Sequence, residues 1–247
     1  MDKTRFSIII PVLHESERIN SLIDHIRCLA RDNGHEIIVV DGGPGKDTIG
    51  AIRSKGVIKL SAGKGRARQM NAGAFLAKGE ILVFLHADTE LPVRAFAGID
   101  SIMKGNRCVA GAFSLGIRSK KFFLKSLARL ASLRCRITRI PYGDQGIFIR
   151  GDYFRRIGGY RDLPLMEDVE LMRRVKHRGD KICILSDHVM TSARRWEEEG
   201  FLFGLLRNTI LFTLFILRVS PEKLARFYKS GYRGMRQRRQ IASFHCI

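Results

Sequence analysis

The sequence predicts an α/β protein with a mostly parallel, Rossmann-like sheet flanked by helices, and three observations support this fold class. The runs 36–40 and 81–85 are almost wholly apolar, which is typical of strands buried on both faces of a parallel sheet. Strand-like and helix-like patterns alternate from residue 6 to residue 85, as right-handed β-α-β crossovers require. Asp41 and Asp88 follow the two runs, at the strand ends where open α/β sheets bind ligands. The carboxylates at these strand ends therefore predict that the protein is an enzyme.

The elements of the first half follow from local patterns. Phe6 begins a strand that stops at Pro11, because proline cannot donate a hydrogen bond to a neighbouring strand. Apolar residues between Ile19 and Leu29 recur with a period near 3.6, which predicts a helix. The predicted order is strand 6–11, helix 15–31, strand 36–40, loop 42–45, helix 48–54, strand 57–60, helix 64–78 and strand 81–85.

The second half is less regular. Residues 118–139 carry eight basic residues and no acid, interleaved with apolar residues, and 201–217 is strongly apolar. The latter segment predicts a C-terminal apolar helix. We expect a catalytic domain over 1–200 and, over 201–247, this helix with a basic tail. The other predicted elements are strands at 107–117, 146–150, 182–185 and 189–191, and helices at 152–157 and 167–178.

Composition bears on partners and on the redox setting. The 247 residues suffice for one full hydrophobic core. A net charge of +20 favours nucleic acid, an anionic membrane surface or a polyanionic substrate as partner. Five cysteines without a CxxC pair argue against a disulfide framework and a zinc ribbon. Because a strand follows Met1–Arg5 directly, we expect no secretory signal and a cytoplasmic protein.

The segment Asp41-Gly-Gly-Pro-Gly-Lys-Asp-Thr48 superficially suggests a phosphate-binding P-loop. Walker A requires glycine where this chain has Val40 and Ser or Thr where it has Asp47. The first strand ends without the glycines of the dinucleotide-binding fingerprint. An acid followed by Gly42 suits a hydrogen bond to a base or ribose, and a loop acid that caps the next turn is an equal alternative.

The segment Gly63–Asn71 places Lys64, Arg66 and Arg68 at a predicted helix N-terminus. Free backbone N–H groups and cationic side chains converge there, which favours anion binding, although a solvated basic helix start is the alternative. Asp88 is a candidate ligand for magnesium, which takes one or two carboxylates plus substrate phosphates. His86 would project to the same side if the strand continued that far.

Glu167 and Asp168 open the predicted helix 167–178. Acids in a first helical turn are common, because the helix dipole stabilises them by about 0.3–1 kcal/mol. The same field keeps a carboxylate ionised, as a general base near neutral pH requires. The order of these motifs along the chain favours the catalytic interpretation.

Taken in order, the motifs resemble those of the family 2 glycosyltransferases with the GT-A fold. The sequence motifs around His86 and at Ser192–Trp196 resemble those of a bacterial branch that is often labelled as arsenosugar-biosynthesis glycosyltransferases. The resemblance spans roughly residues 6–196. The matching stretches are Ser7–Pro11 with Glu15, Val40–Gly43, Gly63–Arg68 with Asn71, Leu85–Thr89, Gly143–Gly146, Gly158–Tyr160 and Glu167–Asp168.

The resemblance implies roles for individual residues. Asp168 would be the catalytic base of an inverting displacement, with Glu167 beside it. Asp88, the remaining acid of the family's Asp-x-Asp motif, would hold Mg²⁺ or Mn²⁺, with His86 as a second candidate ligand. The nucleotide would contact Pro11, Glu15, Asp41, Gly42, Lys64 and Arg68, and the acceptor or diphosphate side would involve Asp144, Gln145, Arg195 and Trp196.

Three departures from the family pattern stand out. His86 replaces the first acid of Asp-x-Asp, Pro44 replaces the usual serine of the loop after Asp41, and Lys46 replaces that loop's second acid. Metal binding would then depend on Asp88 together with water and phosphate.

We expect transfer of a sugar from a nucleotide-diphosphate donor, with UDP-sugars favoured, to an acceptor hydroxyl. A sugar nucleotidyltransferase on a related sheet and a basic nucleic-acid-binding protein are the alternatives. Nucleic acid is not expected as a partner, because no recognised binding motif accompanies the charge.

The segment 201–217 and its basic flanks predict peripheral contact with the anionic inner face of the cell membrane. It is short for a span and has Arg207 near its middle, and a central arginine is costly in hydrocarbon. The basic segments 118–139 and 218–239 would strengthen this contact. A core helix of a soluble protein is the equal alternative.

Overall fold

The computed structural model describes residues 4–30, 34–104 and 107–228. The chain divides into two compact units. The first comprises the chain up to Asp162 together with Glu167–Ser192, and the second comprises Leu163–Met166 and the chain from Ala193. The predicted division into 1–200 and 201–247 stays a prediction.

The first unit contains a sheet with the strand order β3-β2-β1-β4-β7-β6-β8-β5. The neighbours β3, β2, β1 and β4 are parallel, β7 is antiparallel to both β4 and β6, β8 is parallel to β6, and β5 is antiparallel to β8. The mostly parallel α/β fold is thus confirmed. The strands are β1 (Phe6–Val12), β2 (His35–Asp41), β3 (Val57–Ser61), β4 (Ile81–Phe84), β5 (Thr89–Glu90), β6 (Ala110–Arg118), β7 (Ile147–Arg150) and β8 (Ile182–Ser192).

The core lies along the central strands, where the predicted apolar runs are buried. Ile8–Ile10, Ile37–Val40 and Ile81–Leu85 are at most 2% exposed, because helices cover the sheet where both faces are apolar. Phe84, Phe154 and Tyr160 pack ring against ring, with centroids 5.0–5.5 Å apart, beside the end of β4. These contacts give the carboxyl ends of the strands a rigid base.

The helices agree with the sequence prediction as far as β4 and extend it beyond that strand. Four helical segments were not predicted, namely α4 (Ala95–Met103), α5 (Phe122–Thr138), α8 (Arg194–Glu199) and 221–228. Buried Leu124, Leu127, Ala128 and Cys135 define the inner face of α5, but exposed apolar residues on another face obscure the helical period in the sequence. The helices are α1 (Ile19–Leu29), α2 (Asp47–Ala51), α3 (Arg66–Leu76), α4 (Ala95–Met103), α5 (Phe122–Thr138), α6 (Gly151–Arg156), α7 (Glu167–His177), α8 (Arg194–Glu199) and α9 (Phe201–Ile216), and 221–228 is also helical.

The two predicted late strands are a single strand, β8. Its pairing with β6 shifts register between Ala112 and Ser114, which pair with Ile184 and His188. The polar residues between those two partners interrupt the apolar pattern, and a bulge of this kind lets the strand continue through them.

The structure contains a disulfide, although the cysteine spacing argued against a disulfide framework. Cys108 and Cys183 form a disulfide with Cα atoms 6.1 Å apart, although 75 positions separate them in the sequence. Only the pairing of β6 with β8 brings them together, so spacing gave no signal. Cys28 is exposed and Cys135 is buried, both as free thiols, and Cys246 lies outside the described residues.

In the second unit, α9 occupies most of the predicted helical segment 201–217. The buried side chains of α9 are not all apolar, because Arg207 is buried. Its guanidinium lies 5.5 Å from the Phe203 ring and 4.5 Å from the Tyr228 ring. Within the described ranges, no helix combines the length and apolar character needed to cross a bilayer.

Candidate active site at the carboxyl ends of the strands

A buried glutamine fastens together the ends of β1 and β2. The Gln69 amide donates to the carbonyl oxygens of Val12 (2.8 Å) and Val40 (2.7 Å). A Cβ atom at Gly42 would lie 2.8 Å from the Gln69 amide, so a larger residue there would displace the amide from its two carbonyl partners. Gln69 was not predicted as a site residue, although a lone amide among the apolar residues of the inner face of α3 could have signalled it.

Asp41 organises the loop after β2. Its buried carboxylate accepts N–H groups from Gly43 (2.8 Å), Thr48 (3.1 Å) and Ile49 (3.2 Å). This is the capping role that the sequence left as an alternative to base recognition. Contact of Asp41 and Gly42 with a nucleotide stays a prediction.

Two further predicted nucleotide contacts lie beside this loop. Pro11 is half-buried near the end of β1, in register with Val40. The Glu15 N–H donates to Thr48 Oγ1 (3.1 Å), and its carboxylate lies 3.5 Å from the Arg18 guanidinium. Four of the six residues assigned to the nucleotide, Pro11, Glu15, Asp41 and Gly42, therefore lie in or beside one loop.

The cations at the start of α3 have different environments. Lys64 is exposed. Arg68 forms an ion pair with Asp162 at 2.8 Å, which raises the pKa of Arg68 and lowers that of Asp162. Both side chains are 58% exposed, and an ion pair of this kind contributes little, so an anionic ligand can compete for Arg68.

Arg66, which lies between these two cations, pairs with Glu167 instead. Its Nε is 2.8 Å from Glu167 Oε1. Burial raises the pKa of Glu167, and the Arg66 charge partly offsets that effect. Since the Glu167 side chain is only 3% exposed, its position is that of a structural partner rather than of a base open to substrate.

Asp168 is half-buried at the start of α7. Its Oδ2 accepts the Gly143 N–H at 2.5 Å, and its Oδ1 accepts the Val169 N–H at 2.7 Å. A Cβ atom at Gly143 would lie 2.9 Å from His86 Nε2 and 3.4 Å from Asp168 Oδ2. The structure thus brings Asp168 and His86 to the same glycine.

Asp88 occupies a different environment from His86. Strand β4 ends at Phe84 and residues 87–88 form a turn, so the extended geometry expected to align the two side chains does not continue that far. Asp88 lines a cavity of about 340 Å³ together with Glu17, Arg18 and Arg118. Its half-exposed carboxylate receives a 3.3 Å hydrogen bond from Thr89, which leaves oxygen lone pairs for a cation.

The described residues contain no group of three or more His, Cys, Asp and Glu side chains able to hold a metal ion. Magnesium commonly uses one or two carboxylates and completes its shell with water and substrate phosphates. Asp88 fits that pattern, in which the substrate supplies further ligands.

The predicted acceptor-side residues fall into two groups. Gln145 is fully buried, donates to the Phe113 carbonyl (3.0 Å) and accepts the Tyr142 N–H (3.1 Å), so it supports the turn that carries Asp144. Arg195 and Trp196 belong to α8 in the second unit. The side chain of Arg195 lies outside the described residues.

Comparison with protein families identifies the family of the chain. The family described as glycosyl transferase family 2 matches residues 7–157. The chain belongs to glycosyl transferase family 2. Membership of this family favours a glycosyltransferase over the nucleotidyltransferase and nucleic-acid-binding alternatives.

Curated relatives of this family 2 glycosyltransferase include the undecaprenyl-phosphate 4-deoxy-4-formamido-L-arabinose transferase of Yersinia pestis (strain Pestoides F). The two share 26% identity over 205 residues, which cover 78% of this chain and 58% of the relative. The same figures hold for the protein of that name from Yersinia pseudotuberculosis serotype O:3 (strain YPIII). The chain thus spans little more than half the length of these relatives.

Solved structures agree on the fold. The mannosyltransferase PcManGT from Pyrobaculum calidifontis, in complex with GDP-Man and Mn²⁺, has a TM-score of 0.61 at 19% identity, covering 82% of this chain and 59% of that one. S. aureus TarS 1–349 in complex with UDP-GlcNAc has a TM-score of 0.58 at 15% identity, covering 76% and 58%. The GT-A fold is thus confirmed, and the narrower arsenosugar label stays a prediction.

Proposed function

We propose that the protein is a metal-dependent inverting glycosyltransferase that uses a nucleotide-diphosphate sugar, with UDP-sugars favoured. The observation that carries this proposal is the approach of Asp168 and His86 to Gly143, at the carboxyl end of β4. Asp168 is the half-buried acid there, and Glu167 beside it is buried by Arg66. Asp168 would remove the acceptor proton while the acceptor oxygen attacks the anomeric carbon.

A divalent cation, Mg²⁺ or Mn²⁺, would be held by Asp88 and would stabilise the charge on the departing diphosphate. Lys64 and Arg68 lie at the start of α3, within the first unit. Their fixed positive charge would stabilise the same leaving group, and preorganised charge of this kind is usually the largest catalytic contribution. The Mn²⁺ complex of the mannosyltransferase neighbour supports a metal of this class.

The acceptor has two candidate chemistries. A hydroxyl must lose a proton during attack, and a half-buried Asp168 suits that task. The relatives' names specify undecaprenyl phosphate, and a phosphate monoester, with a second pKa near 6, is already ionised at neutral pH. We propose a hydroxyl, because a phosphate acceptor would leave Asp168 without a proton to remove.

The segment 201–217 with its basic flanks supports a peripheral position on the inner face of the cell membrane. In the second unit, α9 exposes Leu206 and, directly after the helix, Leu217. Those two apolar side chains would enter the lipid headgroup region.

A nucleotide screen tests the donor assignment. We expect UDP with Mn²⁺ to raise the melting temperature more than GDP, TDP or CMP do, and each shift to shrink without metal. A ligand at 100 times its Kd stabilises the folded state by about 2.7 kcal/mol. Stabilisation by none of the four nucleotides would contradict the proposed donor class, and a larger shift with GDP would replace uridine by guanosine.

A further inference from the structure

Helix α5 is fixed to the first unit by one face. Leu124, Leu127, Ala128 and Cys135 are buried on that face. Ser132 accepts the Leu115 N–H of β6 at 2.9 Å and donates to the Ala128 carbonyl at 2.8 Å. The rotation of the helix about its axis is therefore set, and the opposite face points away from β6.

That opposite face is apolar. Five large side chains occupy an arc of about 100° at 3.6 residues per turn. Singly exposed apolar residues are ordinary, whereas a contiguous row on one helix marks a surface that contacts lipid or protein. The members of this apolar stripe are Phe122 (76% exposed), Phe123 (43%), Leu130 (61%), Leu133 (54%) and Ile137 (73%).

Basic residues border the apolar stripe. Lys125, Arg129 and Arg136 are exposed and form a second row along one edge, and none of the three forms an ion pair with a described residue. The whole segment 118–139 contains no acid. An apolar face edged by lysine and arginine is the pattern of a helix that lies in the surface of an anionic bilayer.

We propose that α5 is the main membrane-contacting surface of this protein and that its occupant is an anionic lipid bilayer. Other occupants are electrostatically unfavourable. Residues 229–247 of the same chain carry five basic residues and no acid, and a second copy brings a net charge of +20. Both would repel the basic row, whereas anionic headgroups attract it.

This surface leads directly to the candidate active site. Six positions after Ile137 the chain reaches Gly143, whose N–H contacts Asp168. A lipid-linked acceptor would therefore be presented beside the proposed base while α5 remains on the bilayer. This part of the inference rests on the proposed function, but the lipid contact itself does not.

Co-sedimentation of the full chain with vesicles tests the inference. The vesicles contain phosphatidylglycerol and phosphatidylcholine, or phosphatidylcholine alone. The stripe variant Leu130→Asp/Leu133→Asp should bind the anionic vesicles at least about tenfold more weakly than wild type, because two apolar side chains no longer enter the lipid. The matched control Phe75→Asp/Val93→Asp changes two apolar side chains that are 86% and 82% exposed, adds the same charge, and should bind like wild type.

Two further variants test the same contact if the stripe variant is unstable. Lys125→Ala/Arg129→Ala retains the stripe and should lose about fivefold in binding for each basic residue removed. Leu206→Asp/Leu217→Asp alters the additional contact proposed for the segment 201–217 and should weaken binding by a smaller factor than the stripe variant does.

Several results would overturn the assignment. They are absence of wild-type binding, equal losses in the stripe variant and its control, a loss confined to Leu206→Asp/Leu217→Asp, and a wild-type dimer that the stripe variant dissociates. The melting shift with UDP and Mn²⁺ reports the donor site independently. Vesicle binding without any nucleotide shift would sustain the lipid contact and refute the proposed function.

Discussion

The substitution Asp168→Asn tests the proposed base most directly. It keeps the size of the side chain and removes the negative charge that would accept the acceptor proton. Loss of a general base typically lowers the rate about 10²–10⁴-fold, which corresponds to roughly 2.7–5.4 kcal/mol in activation free energy at 1.36 kcal/mol per factor of ten.

The structure limits how much of that loss could come from instability. Asp168 accepts N–H groups from Gly143 and Val169, and the asparagine oxygen can still accept one of them. A hydrogen bond to a charged group contributes about 1.5–3 kcal/mol and a neutral one about 0.5–1.5 kcal/mol. The expected destabilisation is therefore about 1–2 kcal/mol, which is small beside the free energy of unfolding of about 5–15 kcal/mol that is typical of natural proteins.

The assay measures sugar transfer and donor binding separately. Transfer should fall by the factor above while the UDP-induced melting shift stays near that of wild type. Asp152→Asn is the matched control, because Asp152 is also an acid in a first helical turn but lies outside the candidate site. Turnover of Asp168→Asn within a few-fold of wild type would refute the role of base, and would favour either a helix-capping acid or an already ionised phosphate acceptor.

Two further predictions concern neighbouring acids. Asp88→Ala should abolish the effect of Mn²⁺ on UDP affinity in calorimetry, whereas His86→Ala should only weaken that effect, because a carboxylate is the harder ligand. Equal losses in the two variants would show that His86 is a metal ligand as well. Burial raises the pKa of Glu167 above its ordinary 4.5, so the folded protein retains a proton that the unfolded chain releases. The free energy of unfolding of wild type should therefore fall, relative to that of Glu167→Gln, as the pH rises from 4.5 through the folded-state pKa; parallel urea-denaturation curves for the two proteins would contradict this.

The sequence predicted the parallel half of the sheet because its strands are buried on both faces and therefore read as continuous apolar runs. It did not predict α5 as a helix, because the exposed apolar stripe disguises the helical period. The sequence also did not predict which side chains pair with each other. Three basic residues at the start of α3 look equivalent in the sequence, yet Arg66 contacts Glu167 and Arg68 contacts Asp162, since successive helical positions face different directions.

The different environments of Glu167 and Asp168 could not be predicted from the sequence either. Adjacent residues on a helix point about 100° apart, so one acid is buried against Arg66 and the other remains half-exposed beside Gly143. The sequence placed both in the site, and only the structure assigns them different environments. The disulfide between Cys108 and Cys183 was missed for a related reason, because strand order brings the two together.

The three hydrogen bonds that the Asp41 carboxylate accepts bear on the affinity for the proposed donor, because they order the loop before any ligand binds. A loop that must become ordered around its ligand loses conformational entropy at that moment, and the loss is subtracted from the affinity. Here the turn from Gly43 to Ile49 is already closed on a carboxylate within its own chain. Folding has therefore already met that entropic cost, and the proposed nucleotide would meet this loop as a rigid body.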